Sequence, residues 1–143
     1  MGDAVAAFIV DECGRYLMQH RDEIPGIFYP GFWSLFGGAV DHGESDREAL
    51  QRELLEELGL DVGDIKPVHN FIFDLTDMGG QAHQRRYFEL TVNSNEAQNF
   101  KLAEGQGFAF FEAPTLLSEH RVTPYDAFAV WIHYMDRFSR IKP

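Results

Sequence analysis

The segment SDREALQRELLEELG, from Ser45 to Gly59, constrains this chain more than any other. Its opening, Ser45-x-x-Glu48, lets an N-cap hydroxyl and an N3 carboxylate satisfy two N–H groups that a helix start leaves without partners. Its close, Gly59, is the residue that most easily takes the left-handed geometry of a helix stop. A helix over Ser45–Leu58 is therefore expected. At roughly 100° per residue, with Glu53 as zero, Glu56 falls at about −60° and Glu57 at about +40°, so three carboxylates share one arc. Leu50, Leu54 and Leu58 fall at about 60°, 100° and 140°, a separate apolar stripe able to anchor the helix in a core. Like charges at i,i+3 and i,i+4 cost a few tenths of a kcal/mol per exposed pair, and more when partly buried. A shared divalent cation would reverse that sign, and Mg²⁺ and Mn²⁺ prefer such hard oxygen ligands. The bland alternative for the three acids is a solvated helix surface.

A length of 143 residues with 45% hydrophobic content suits one domain, 1–143, with an ordinary core. No apolar run approaches the span of a bilayer, and the N-terminus lacks a secretory pattern, so a cytoplasmic protein without membrane partners is expected. The net charge of −11 opposes a nucleic acid polymer as partner, because such binding rests on Lys/Arg patches. A small phosphorylated ligand stays compatible if divalent cations neutralise both sides. The single cysteine, Cys13, lies in the turn-like Asp11-Glu12-Cys13-Gly14 with no flanking cation, and reads as a turn residue rather than a nucleophile. A homodimer stays open.

Along the chain, Ala4–Val10 and Tyr16–Arg21 read as two strands of a hairpin. The stretch from Asp22 to Gly38 reads as an ordered aromatic loop with a short strand near Trp33–Phe36. Val68–Leu75 and Arg86–Val92 are expected strands around the turn Asp77-Met78-Gly79-Gly80, and Phe108–Glu112 another. Thr123-Pro124-Tyr125-Asp126 combines an N-cap, Pro at the first helical position and an early acid, opening a helix to about Arg140. Its residues Ala127, Trp131, Tyr134, Met135 and Phe138 recur at helical spacing and are expected to cover the sheet. Strands and helices interleaved around antiparallel hairpins imply an α/β fold with a mixed sheet.

From Gly38 the sequence runs through five residues to Glu44, then seven to Arg52-Glu53-Leu54, one to Glu56-Glu57 and one to Gly59-Leu60. At every defined position this resembles the Nudix box of the Nudix hydrolase family. The resemblance implies a Nudix-type α/β/α sandwich in which the box forms a catalytic loop-helix-loop. It also implies Mg²⁺- or Mn²⁺-dependent hydrolysis of a diphosphate bond in a nucleoside diphosphate-linked small molecule. Glu56 and Glu57 would then be metal ligands, Glu53 a ligand or the base that activates water, and the Gly38 carbonyl a further ligand. Arg52, counted with the catalytic set, and Glu44 look like an ion pair joining loop to helix. A Nudix-fold module that binds a nucleotide without cleaving it is the alternative, and loss of a box acid, which would favour it, is not seen. The isopentenyl diphosphate isomerase branch, which uses a cysteine, is disfavoured by the setting of Cys13.

Outside the box, Glu104-Gly105-Gln106 is similar to a step that supplies another acidic metal ligand or base in several Nudix hydrolases, with Glu112 and Glu96 as fallbacks. Arg21, at a strand end, is a candidate for phosphate oxygens. Of Arg85 and Arg86, adjacent on a strand, only one can face a cleft, and Arg86 is carried as the candidate. Phe28, Tyr29, Phe32 and Trp33 are candidates to stack a base, Trp33 foremost, although core packing suits most of them. No histidine has the spacing of a zinc site. The family's ADP-ribose mark, a Pro, is absent where this chain has Leu75 and Thr76. The diadenosine polyphosphate mark, a Tyr, is absent where it has Asp77 and Met78. Nucleoside triphosphates or nucleotide sugars are left by elimination.

Overall fold

The computed structural model describes residues 2–141, with side chains described through Arg137. Seven strands form one mixed sheet: β1 (Ala4–Val10), β2 (Tyr16–His20), β3 (Trp33–Ser34), β4 (Phe36–Ala39), β5 (Lys66–Asp74), β6 (Ala82–Thr91) and β7 (Gly107–Phe111). The central path is β3-β2-β1-β6-β5, with β4 on β1 and β7 on β2. Only β1 and β6 pair in parallel among these strand pairs; the rest are antiparallel.

Strand β1 changes partners along its length. Its far end meets β2 at Val10↔Tyr16, whereas Ala4 to Ala7 pair with Ala39 to Phe36 of β4. Strand β2 then diverges to pair with β3 and β7. The sheet thus forks between β2 and β4.

Helices cover both faces: α1 (Asp46–Leu58) on one, α2 (Ala113–Glu119) and α3 (Pro124–Ile141) on the other. The period-2 alternation of β1 explains this two-sided burial. Val5, Ala7 and Ile9 pack with Leu50, Leu54 and Leu58 of α1, while Ala6, Phe8 and Val10 pack with Leu116, Ala129 and Val130. Leu50, Leu54 and Leu58 are fully buried, each contributing roughly 1.5–3 kcal/mol, which outweighs the repulsion on the same helix. The expected capping box is formed. Ser45 Oγ accepts from Glu48 N at 3.1 Å, Glu48 Oε1 accepts from Ser45 N at 3.0 Å, and Gly59 stops the helix at φ 66°.

Helix α3 runs as expected, and Tyr134 of the expected face packs against the core, but the buried stripe is shifted around the helix. Asp126, Ala129, Val130 and His133 are inside, while Trp131 and Met135 are half exposed; Phe138 lies outside the described side chains. The polar residues enter because partners wait for them. Asp126 accepts from Leu35 N (3.0 Å), Thr123 Oγ1 (3.1 Å), Tyr87 OH (3.0 Å) and Arg85 Nη2 (3.2 Å). His133 stacks on Phe8 and lies between Tyr16 OH (2.7 Å) and Glu89 (3.2 Å). The chain also forms 3₁₀ turns at Thr76–Met78 and Ser94–Asn99, and β6 begins at Ala82 rather than Arg86. No helix among the described residues is long and apolar enough to cross a membrane.

Candidate active site

The fork in the sheet opens into a cavity of about 680 Å³. Its walls are Gln19, Arg21 and Asp22 from the end of β2, Ile24 and Ile27 from the following loop, Gly37 and Gly38 of β4, Glu53, Glu56 and Glu57 of α1, and Ala103 to Gly105. The structure therefore brings Arg21, Gly38, all three helix acids and Glu104 around one space. The glycines are a packing requirement: a Cβ on Gly38 would lie 2.4 Å from Glu53 Oε1, and one on Gly37 would lie 2.0 Å from the Val5 carbonyl.

Arg52 ties the loop before α1 to the helix. Its Nε and Nη2 grip both oxygens of Glu44 at 2.7 and 3.1 Å, and Nη2 also reaches the Ala39 carbonyl at 3.1 Å. Its Nη1 donates to Glu53 at 3.1 Å and Glu56 at 3.3 Å. That bidentate pair holds the Glu44 carboxyl below its usual range.

Glu57 is the most perturbed acid. Burial first, then the charge of Glu53, a hydrogen bond with Glu53 and the charge of Glu104 push its carboxyl up to about 8, against a lowering from the Gly37 N–H. Glu53 is also raised, by burial first, against the pull of Arg52. One Glu57 oxygen, Oε2, is buried and accepts no hydrogen bond from the described residues. Among the described residues no three His, Cys, Asp or Glu side chains are arranged to hold an ion as they stand. The acids nonetheless suit a hard cation: an unpartnered buried carboxylate oxygen and a carboxyl raised by burial and by neighbouring acids are both relieved by positive charge.

Other expected residues lie elsewhere. Arg86 Nη1 pairs with Asp46 at 2.8 Å, away from the cavity wall. Trp33 stacks on His20 at 4.5 Å and packs in the core on the α3 side. Arg85 is drawn to Asp126 and lies over the Tyr125 ring at 4.2 Å. Phe32 sits under Arg121, whereas Phe28 and Tyr29 remain exposed. Glu112 occupies the N-cap position of α2, and Glu96 closes the 3₁₀ turn by accepting from Asn93 N. Gln19, Asp22, Ile24 and Ile27 were not singled out in the sequence. Gln19 carried a signal: it shares the inward parity of Leu17, a polar residue where the core calls for an apolar one.

The NUDIX domain family matches residues 1–130. The chain belongs to the Nudix family. A nucleoside triphosphatase NudI from Enterobacter sp. (strain 638) is 43% identical over 61 residues, 41% of this chain and 43% of the relative. The chain thus spans about two fifths of the length of the relatives it matches in sequence. The MutT protein from Methanosarcina mazei Go1 superposes with TM-score 0.67 at 27% identity, covering 96% of this chain and 91% of the other. The E. coli ORF135 protein superposes at 0.77 with 23% identity, covering 99% and 94%, a likeness of fold.

Proposed function

We propose that the chain hydrolyses a diphosphate bond of a small nucleotide, a nucleoside triphosphate ahead of a nucleotide sugar, with Mg²⁺ or Mn²⁺. The observation that carries this is Glu57, half-buried in the cavity wall, whose Oε2 is shielded from water and has no hydrogen-bond partner among the described residues. The Gly38 carbonyl with Glu53, Glu56, Glu57 and Glu104 would hold the cation. When bound, it supplies charge neutralisation and a water of lowered pKa.

The protein's own groups divide the remaining work. Arg21 is the one cationic side chain on the cavity wall among the described residues and takes phosphate oxygens. Its guanidinium is steadied by a 2.8 Å bond from Nε to the Phe28 carbonyl, which leaves the outer nitrogens for substrate. Glu53, half buried and raised in proton affinity, is suited to accept the proton of the attacking water. Ile24 and Ile27 give the organic part of the substrate an apolar wall. Arg52 keeps the box loop on the helix. The name carried by the NudI relative, nucleoside triphosphatase, favours triphosphates.

The test is a panel of nucleoside triphosphates and nucleotide sugars with Mg²⁺ or Mn²⁺, reading released phosphate or pyrophosphate, with Glu57→Gln as control. Turnover in the wild type that the variant lacks supports the reading. Equal rates on every compound, with nucleotide binding retained, would make the protein a binding module instead.

A further inference from the structure

The Glu104 side chain is exposed, and no hydrogen bond or ion pair to its carboxylate is seen among the described residues. Its direction is therefore set by its main chain. That main chain is fastened at three points to the end of β2 and the segment after it, and the Gln106 side chain adds a fourth. Gln19 Nε2 donates to the Glu104 carbonyl at 2.9 Å, Gly105 N donates to Asp22 Oδ2 at 3.2 Å, Gln106 N donates to the His20 carbonyl at 2.7 Å, and Gln106 Nε2 donates to the Arg21 carbonyl at 2.8 Å. The fit is close: at φ +90°, a Cβ on Gly105 would lie 2.8 Å from the His20 carbonyl and 2.9 Å from Gln19 Nε2. Of these fasteners, only Gln19 holds residue 104 itself. It is 7% exposed, where an amide is retained only if its hydrogen bonds matter.

We propose that Gln19 is a positioning residue, which fixes through the Glu104 carbonyl where the Glu104 carboxylate stands relative to Glu57. This rests on the reading of Glu104 as part of the reacting site. Because Gln106 and Gly105 are fastened to Arg21 and Asp22, the same clamp sets the acid and the start of the substrate loop in one register. Loss of the Gln19 donor frees the Glu104 carbonyl while the bonds at Gly105 and Gln106 stay, and it leaves Arg21 and the carboxylates unaltered.

The test compares Gln19→Met, which keeps length and loses the donor, with Glu104→Gln and the double variant. Turnover of Gln19→Met is expected to fall on the order of tenfold with KM within about twofold, as for residues that orient metal ligands. Mn²⁺ affinity, read from free Mn²⁺ by electron paramagnetic resonance, should weaken in parallel. Amide exchange in the metal-free protein should quicken at residues 104–106 alone. In the Glu104→Gln background, Gln19→Met should cost nothing further. Losses that multiply, or a lower melting temperature with unchanged turnover per folded molecule, would overturn the proposal. If Glu104→Gln itself keeps full turnover, the reading of Glu104 falls and takes this inference with it. If Glu104→Gln is impaired and Gln19→Met is not, only the inference falls. Gln19→Asn, which withdraws the amide by one methylene, gives the same readings should Gln19→Met not fold.

Discussion

Two acids, Asp126 and Glu57, are drawn into the protein on opposite faces of the same sheet, and their surroundings differ in kind. Asp126 is 1% exposed and meets four donors, including the buried Arg85 guanidinium and the Tyr87 hydroxyl. Every lone pair it would have shown to water has been replaced. Glu57 is surrounded by more acid, with Glu53 bonded to it, Glu104 nearby and one oxygen bare. The first arrangement is what a structural carboxylate requires, since a buried charge must be compensated within the protein. The second is compensated only from outside. A shortage of donors around a buried acid therefore separates a site from a brace on the same scaffold.

The largest effect should come from the brace. Asp126→Ala is expected to destabilise the protein by about 3–5 kcal/mol, because it leaves Arg85 buried without its partner; urea unfolding measures this. Glu57→Gln should do the opposite kind of damage: hydrolysis lowered on the order of a hundredfold or more, in a steady-state assay, with the fold intact.

The pH dependence follows from the raised Glu57 carboxyl. Its ordinary value is near 4.5 and its folded value is about 8, so the folded state holds the proton more tightly. Its contribution to the stability of the metal-free protein should be full below about pH 4.5 and lost as pH rises through about 8. Glu57→Gln should flatten that slope in melting curves across this range. Mn²⁺ at a hundredfold over its Kd should restore about 2.7 kcal/mol, seen as a shift in melting temperature absent from the variant. The smallest change is Ser45→Ala, expected to cost about 1 kcal/mol through the lost cap while leaving turnover per folded molecule unchanged. If Ser45→Ala impaired turnover as Glu57→Gln does, the line between scaffold and site would be drawn in the wrong place.

What was legible in the sequence was what local rules control. Helix α1, its cap and its Gly59 stop depend on residues within a turn or two of one another, and they stand where they were expected. The convergence of Glu53, Glu56 and Glu57 is likewise a property of one helix. Helix α3 was legible in position but not in orientation. Periodicity favoured Trp131 and Met135 for the core, whereas Asp126 and His133 hold that place through bonds to Leu35, Tyr87, Tyr16 and Glu89, all far off in sequence. Helix α2 is seven residues long, too short for a periodic signal, and follows directly from β7. The part of the cavity made by Gln19 depends on the pairing of β2 with β7, and that made by Asp22, Ile24 and Ile27 on the irregular loop after it, where no periodic pattern runs.

The fork between β2 and β4 has a consequence for how the cavity can change. Because two of its walls are strand ends, β2 and β4, their separation follows from where β2 parts from β1, a single rung at Val10↔Tyr16. Zipping β1 and β2 together as far as Ala7 would displace β4 from β1 and draw Gly37 and Gly38 away from the acids. Selection acting on substrate size would then be confined to the rim, in the loop that carries Ile24 and Ile27. The strand junction itself would stay invariant, like the fixed jaw of a wrench.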